Sequence, residues 1–152
     1  MLEAIYNRHS IRKFKDQAIP EEDLLKILDA GIQAASGKNI QNWHFVLISN
    51  QDKIQNISQI VKDKNEWISS QMADQEAANK FRKYCKYHTV FENAPHLLLI
   101  YAGSYPTTGL DFLKSIGASN EDIELVENAA PGIQNVAAAM ENIQLAASAM
   151  GY

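Results

Sequence analysis

The segment ASGKNIQNWHFVLIS, residues 35–49, joins a small polar loop to an apolar run. Its first half contains Ser36, Gly37 and other residues that favour turns. Its second half, residues 43–49, is aromatic and β-branched without Gly or Pro, which predicts a buried strand. A glycine-bearing loop exposes backbone N–H groups and lets a flat ligand approach closely. The segment therefore predicts either a ligand-binding loop or a simple helix cap and turn.

An amphipathic helix is predicted immediately before this segment, starting at residues 19–21 and ending near Ala35. Pro20 suits a first helical turn, and three carboxylates follow it at the positive end of the helix dipole. Apolar residues then recur at helical spacing, which predicts one buried face: Leu24, Leu25, Ile27, Leu28 and Ile32.

The rest of the chain is predicted to be mainly helical, with one further buried strand over residues 96–102. Helices are predicted at residues 2–7, 51–62, 66–86 (one helix or two), 110–116, 120–128 and 131–150. Their inward faces carry Ile5, Ile54, Ile57, Ile60, Val61, Trp67, Ile68, Met72, Phe81 and Tyr84. Two strands do not make an independent sheet, so either weaker segments add strands or part of the fold lies outside this chain.

Composition limits the class of protein. A chain of 152 residues and 17.0 kDa suits one domain that buries roughly 70 per cent of its unfolded surface. Its 46% hydrophobic residues exclude a disordered chain, and its net charge of −4 argues against a general nucleic-acid binder. The single cysteine, Cys85, excludes an internal disulfide and fits a reducing, cytoplasmic location. No export signal, membrane span or linker is recognisable, so one domain over residues 1–152 is predicted, without a membrane partner.

A basic segment lies near the start of this acidic chain, at residues 8–14 (RHSIRKF). In an extended backbone Arg8, Ser10 and Arg12 would point the same way and form one surface for an anion. Guanidinium groups match phosphate oxygens, and the serine hydroxyl adds a donor. The alternative is a solvated basic segment before a helix.

The sequence gives less indication of a site built from histidine or cysteine than of an anion site in the basic segment. The histidines show no metal-ligand spacing with one another or with the cysteine, so no metal site is predicted. In the predicted strands, His44 and His96 are expected to be ordinary hydrogen-bonded core or edge residues. Lys83 and Lys86 are expected to lower the pKa of Cys85, but no general base lies near it in sequence, which favours a structural thiol.

Taken in order along the chain, these motifs resemble the flavin-dependent nitroreductase family. The resemblance rests on the basic segment, on residues 35–45, on Asn93-Ala94-Pro95 before the second strand, and on the closing helix over residues 141–151. It implies an α+β, nitroreductase-like fold with a central mixed sheet surrounded by helices. It also implies an intertwined homodimer with FMN bound at the interface, and NADH or NADPH as the electron donor.

The resemblance implies that these residues bind FMN: Arg8, His9, Ser10, Arg12, Ser36, Gly37 and Asn39. Arg8 and Ser10 would contact the phosphate, and His9 would contribute through its backbone. Ser36, Gly37 and Asn39 would line the flavin from the partner subunit.

Arg12 is the residue expected to be catalytic, because it would lie near the pyrimidine edge of the flavin. Its guanidinium there would stabilise negative charge spread toward N1 and O2 after hydride transfer, and no acid–base side chain is expected. The implied activity is ping-pong reduction of nitroaromatic, quinone or similar electron-poor acceptors. One alternative is a flavin-binding or degenerate dimeric module without turnover, and another is a flavin-dependent dehydrogenase or dehalogenase.

Two departures from the family pattern are visible. Asn42 stands where the family often has proline before tryptophan, and is expected to loosen the loop. The sequence ends at Tyr152, whereas family members continue with a loop near flavin N5, a final strand and a tail. A C-terminally incomplete domain is therefore expected.

Overall fold

The computed structural model describes residues 2–106 and 108–152, which divide into two compact units. Unit 1 consists of Met1–Arg8, Glu21–Phe45 and Ile100–Tyr152. Unit 2 consists of His9–Pro20 and Val46–Leu99. A single domain over residues 1–152 stays a prediction.

The described residues form mainly helices together with a small sheet, which confirms the α+β class. The helices are α1 (Leu2–Asn7), α2 (Glu21–Ile32), α3 (Gln51–Ser70), α4 (Gln75–Cys85), α5 (Thr108–Ser115), α6 (Asn120–Asn128) and α7 (Pro131–Ala149). The strands are β1 (Trp43–Ile48) and β2 (Leu97–Ala102), and short 3-10 helices occupy Gly37–Asn39 and Lys86–Asn93. None of the helices in the described ranges is long and apolar enough to cross a membrane.

Strands β1 and β2 pair antiparallel. At one end the Gly103 N–H donates to the Asn42 carbonyl at 2.6 Å, and at the other Ser49 Oγ lies 2.8 Å from His96 Nδ1. Residue numbers therefore rise along one strand as they fall along the other. Within residues 2–106 and 108–152 the sheet has two strands, so the wider mixed sheet implied by the resemblance stays a prediction.

Helix α2 packs closely on α7 within unit 1. A Cβ built on Gly31 would lie 2.7 Å from Ile143 Cγ1, so the glycine permits this approach. The Asn142 side chain also donates to the Ala30 carbonyl at 3.1 Å. Leu24 and Ile27 are buried as predicted, but the helix ends at Ile32 and not at residue 35.

Helix α3 is longer than predicted and runs through to residue 70, so the break before α4 falls at residues 71–74. The start of α3 is capped by Asn50, whose side chain accepts from the Lys53 N–H at 2.9 Å. The start of α4 is capped by Asp74, which accepts from the N–H groups of Glu76 and Ala77. Side-chain caps at these two positions satisfy the first backbone donors and define where each helix begins.

Burial was the weakest prediction from the sequence. The following residues were expected inside and are exposed: Ile5, Leu25, Ile32, Val46, Leu47, Ile60, Trp67, Tyr84 and Tyr101. In α2, Leu25 and Ile32 lie on the same side of the helix, about 80–100° around the helix axis from Leu24, and so beside the face that packs on α7. Periodicity defines the faces of a helix or strand but not which face another element covers, and one face of an antiparallel sheet can stay open to solvent.

Candidate functional site

The structure brings Ser36, Gly37 and Asn39 together in one tight turn, residues 36–41 of unit 1. The Asn39 N–H donates to the Ser36 carbonyl at 3.0 Å, and the Ile40 N–H donates to the Gly37 carbonyl at 3.2 Å. The Ser36 hydroxyl oxygen accepts from the Gln41 N–H at 3.1 Å. The loop predicted here is confirmed, and contact of these residues with a cofactor stays a prediction.

Left-handed backbone conformations are concentrated in this turn. Lys38, Asn39 and Gln41 have φ values of 56°, 53° and 48°, although none of them is glycine. Such conformations cost roughly 1–2 kcal/mol for an L-residue with a side chain, somewhat less for asparagine. Non-glycine residues persist in this region only where the surroundings impose it, and they cluster at binding sites.

A chain of buried amides supports the turn from behind. The Gly37 N–H donates to Asn135 Oδ1 of α7 at 2.9 Å, and Asn135 Nδ2 donates to Asn42 Oδ1 at 2.9 Å. Asn42 Nδ2 in turn donates to the Gly103 and Gly132 carbonyls at 3.0 and 3.3 Å. Both asparagines are only 6% exposed. The expectation that Asn42 loosens the loop is therefore wrong, because its side chain ties the loop to β2 and α7.

Sequence reasoning missed Asn135. No role in a site was predicted for the polar residues of the closing helix. A buried polar side chain requires a hydrogen-bond partner, so an asparagine in an apolar, alanine-rich helix was the available signal. Its partner Gly37 is 98 residues away in the chain, and the sequence alone gave no means of pairing the two.

A cavity of about 570 Å³ adjoins the turn in unit 1. Lys38 and Glu127 line it together with mainly apolar residues, including Tyr105 and Ile133. The Tyr105 hydroxyl oxygen would lie 2.5 Å from a Cβ built on Gly37, so any side chain at this position would displace the tyrosine hydroxyl. Volume and lining are within the range of small-molecule pockets.

Arg8 lies at the end of α1 in unit 1 and is half-buried. Its Nε is 3.8 Å from Glu141 Oε1 on α7, which is an ion pair and too long for a hydrogen bond. A guanidinium has five N–H donors, and this one long contact with Glu141 involves only Nε. Arg8 therefore keeps the capacity to bind an anion.

The other residues of the basic segment lie in unit 2. His9, Ser10 and Arg12 are exposed in a stretch without helix or strand, as predicted. The Arg12 guanidinium carbon lies 5.7 Å from the centre of the Tyr87 ring, within cation–π range. In the described residues no carboxylate lies within 4.0 Å of the Arg12 charge, which is thus available to an anionic ligand.

The stretch that follows the basic segment is anchored at Ile19 by His96. Its Nε2 accepts from the Ile19 N–H at 3.1 Å, so in the neutral ring Nδ1 carries the proton and donates to Ser49 Oγ at 2.8 Å. The prediction of an ordinary, hydrogen-bonded edge histidine is confirmed.

Cys85 has no sign of nucleophilic activation. Burial raises the pKa of its thiol, and the nearby Glu66 carboxylate raises it further. The expected lowering by Lys83 and Lys86 is wrong, because desolvation and a like charge disfavour the thiolate more strongly. No group of three His, Cys, Asp or Glu residues in the described ranges is placed to hold a metal ion.

The side chains available suit FMN in their chemistry. Arg8, Ser10 and Arg12 supply the guanidinium and hydroxyl donors that a phosphate or an electron-rich ring edge requires. The turn at residues 36–41 presents small groups, including a glycine, against which a flat ring can pack. The donor types in each unit therefore match the chemistry of the group that the resemblance implies.

Known proteins resemble this chain over nearly all of its length. The family model "Nitroreductase family" matches residues 5–152. A BluB-like flavoprotein from Clostridium difficile 630 is 38% identical with a TM-score of 0.88, over 99% of this chain and 70% of that protein. A nitroreductase with bound FMN from Bacteroides fragilis NCTC 9343 is 25% identical with a TM-score of 0.63, over 99% of this chain and 65% of that protein.

A curated relative from Methanothermobacter thermautotrophicus is named "Putative NADH dehydrogenase/NAD(P)H nitroreductase". It is 40% identical over 60 residues, which are 40% of this chain and 31% of that protein. The match thus spans about a third of the relative's length. The family match covers nearly the whole chain, and this chain belongs to the nitroreductase family.

Proposed function

We propose that this protein is an FMN-dependent oxidoreductase that uses NADH or NADPH to reduce nitroaromatic, quinone or similar electron-poor acceptors. The observation that carries the proposal is the turn at residues 36–41, held in left-handed conformations by buried amides. Family membership and similarity to an FMN-bound structure support it. The NAD(P)H donor is supported by the name of the archaeal relative.

In this proposal the chain binds and polarises the cofactor. Arg8 and Ser10 hold the phosphate, with His9 contributing its backbone, and Ser36, Gly37 and Asn39 pack against the flavin ring. When bound, FMN supplies the hydride chemistry between nicotinamide and acceptor. Two copies of the chain share each site in a homodimer, and the protein acts in the cytoplasm.

Arg12 supplies fixed positive charge in this site. A fixed guanidinium placed where negative charge develops stabilises that charge electrostatically. Its contact with the Tyr87 ring limits the side-chain positions it can adopt. Arg12 therefore acts as an electrostatic catalyst and not as an acid or base.

The kinetic mechanism proposed is ping-pong. The chain contains no dinucleotide-binding glycine fingerprint, which fits a nicotinamide that binds only transiently and then leaves. The acceptor then enters the same place, so one open cleft serves both substrates.

Absorption spectra of the purified protein, before and after addition of FMN and then of each nicotinamide, test the proposal. We expect flavin absorbance at one FMN per chain that bleaches on addition of NADH or NADPH and returns with an acceptor. Protein that takes up no FMN would contradict the proposal. FMN uptake without bleaching would favour a flavin-binding module without turnover, and bleaching with no reduction of nitroaromatics or quinones would favour dehydrogenase or dehalogenase chemistry.

A further inference from the structure

We propose that Asn135 is a positioning residue that fixes the 36–41 turn in the conformation that receives the flavin ring, with Asn42 as its support. The proposal rests on the proposed function, because that turn is where the ring is expected to pack. Asn135 itself is 6% exposed and is hydrogen-bonded to the turn through the Gly37 N–H. It would act on the cofactor through the turn.

The orientation of both amides is determined by their partners. The Gly37 N–H can only donate, so the oxygen of Asn135 faces it. The Gly103 and Gly132 carbonyls can only accept, so the nitrogen of Asn42 faces them. Asn135 Nδ2 then meets Asn42 Oδ1, and neither amide can rotate without placing like groups together.

The turn needs this support because its backbone is strained. Three non-glycine residues with positive φ would relax toward other conformations if the Gly37 N–H lost its buried partner. The turn's own hydrogen bonds join residues 36–41 to one another and do not tie them to the rest of unit 1. The bond to α7 is therefore what places the turn relative to a helix.

The substitution N135D tests this role, because it preserves the shape of the side chain and replaces the donor that faces Asn42 with a charged acceptor. A carboxylate at this position accepts from the Gly37 N–H, but its second oxygen faces Asn42 Oδ1, which is also an acceptor. The Asn42 amide cannot rotate to relieve this repulsion, because its nitrogen donates to the Gly103 and Gly132 carbonyls. When that carboxyl is protonated, its C=O and O–H reproduce the acceptor and donor of the amide. Loss of function in N135D should thus be reversed by acid.

The matched control is N142D on the same helix. Asn142 donates to the Ala30 carbonyl of α2 and does not contact the turn, so its substitution introduces the same charge and removes one α7 hydrogen bond. Three quantities are measured for wild type, N135D and N142D at pH 8 and pH 5: hydrogen exchange of the Gly37 amide without FMN, the FMN dissociation constant, and urea unfolding.

At pH 8 we expect the Gly37 amide protection and the FMN affinity of N135D each to fall by about tenfold or more. These losses should exceed those expected from any change in global stability measured by urea unfolding. At pH 5 both should recover toward wild type, whereas N142D should follow the wild-type pH dependence throughout. Should N135D not fold, N135A, which introduces no charge, carries the pH 8 comparison with N142A as its control.

Two outcomes would overturn the proposal: unchanged Gly37 protection in N135D, or lost protection with wild-type FMN affinity. The proposed function fails separately, if the wild-type protein binds no FMN while Gly37 protection still depends on Asn135. In that case the asparagine positions the turn for something other than a flavin, and the cofactor part of the inference is wrong.

Discussion

At the scale of single residues, two kinds of feature distinguish this chain: accessible positive charge and strained backbone. Arg12 lies over an aromatic ring, with no carboxylate from the described ranges within ion-pair distance. Lys38 has φ 56° and ψ 19°, a conformation that a glycine would adopt more easily. Each feature makes a separate prediction, one about electron transfer and one about stability.

Arg12→Ala is expected to slow reduction of bound flavin by about 10²-fold, the usual loss when a fixed electrostatic stabiliser is removed. FMN affinity should fall less, because Arg8 and Ser10 are proposed to hold the phosphate. Stopped-flow absorbance measures the first effect and FMN titration the second. Arg12→Lys, which keeps the charge, should retain more of the reduction rate than Arg12→Ala. Equal losses of rate and affinity in Arg12→Ala would assign the residue to binding alone.

Lys38→Gly is expected to stabilise the protein by about 1 kcal/mol, because glycine adopts positive φ without the side-chain clash. The matched control is Lys83→Gly in α4, where glycine should destabilise the helix by about 1 kcal/mol. Urea unfolding of both variants gives the two free energies. Destabilisation by both substitutions would show that the turn is not strained at Lys38.

At the scale of helices and strands, local signals predicted most elements and the loop of the site. Helix α6 was predicted over residues 120–128 as observed, and in the structure Ser119 caps its start and acidic residues follow. Strand β1 was predicted within one residue. The α3–α4 break was misplaced because the Asp74 cap was not recognised. Hydrogen bonds between distant segments, such as that from Gly37 to Asn135, have no local signal and could not be predicted.

The α3–α4 pair also carries an ion pair whose pH dependence has a definite sign. Arg82 Nε and Nη2 lie 3.0–3.3 Å from the two carboxylate oxygens of Glu66, and these hydrogen bonds lower the pKa of Glu66 from its ordinary 4.5. The contribution to stability is therefore fully present above pH 4.5 and is lost as pH falls through the lowered pKa. The effect is small because both groups are exposed to solvent.

Glu66→Gln should flatten that part of the pH–stability curve, and it should also lower the pKa of the Cys85 thiol. Glu66 is the second cause of the raised pKa of Cys85, after burial, so the pKa should fall without returning to its ordinary value. The pH dependence of iodoacetamide alkylation of this single cysteine measures the change. Glu76→Gln, in an i,i+4 pair with Lys80, is the matched control and should leave alkylation unaltered. An unchanged alkylation midpoint in Glu66→Gln would contradict the assigned cause.

At the scale of the whole molecule, many large apolar side chains are exposed, in unit 1 and in unit 2. Leu2, Phe112 and Leu125 in unit 1 are 66–75% exposed, and Val46 and Trp67 in unit 2 are 45% and 55% exposed. Isolated apolar residues are ordinary on a protein surface, but this many exposed apolar side chains are typical of a protein that binds another protein chain. A homodimer that shares its FMN sites, as proposed here, would cover part of this surface.

Shared sites make FMN binding and dimerisation thermodynamically linked, which is the prediction at this scale. If both copies contact each FMN, the ligand binds the dimer more tightly than the monomer, and FMN must strengthen dimerisation by that ratio of affinities for each of the two sites it occupies. Light scattering after gel filtration, over a dilution series with and without FMN, measures the dimer fraction. With FMN we expect twice the 17.0 kDa chain mass. Without FMN the dimer should be weaker, so that on dilution it begins to dissociate at a higher protein concentration. A monomer that binds one FMN tightly at every dilution would show that each chain completes its own site.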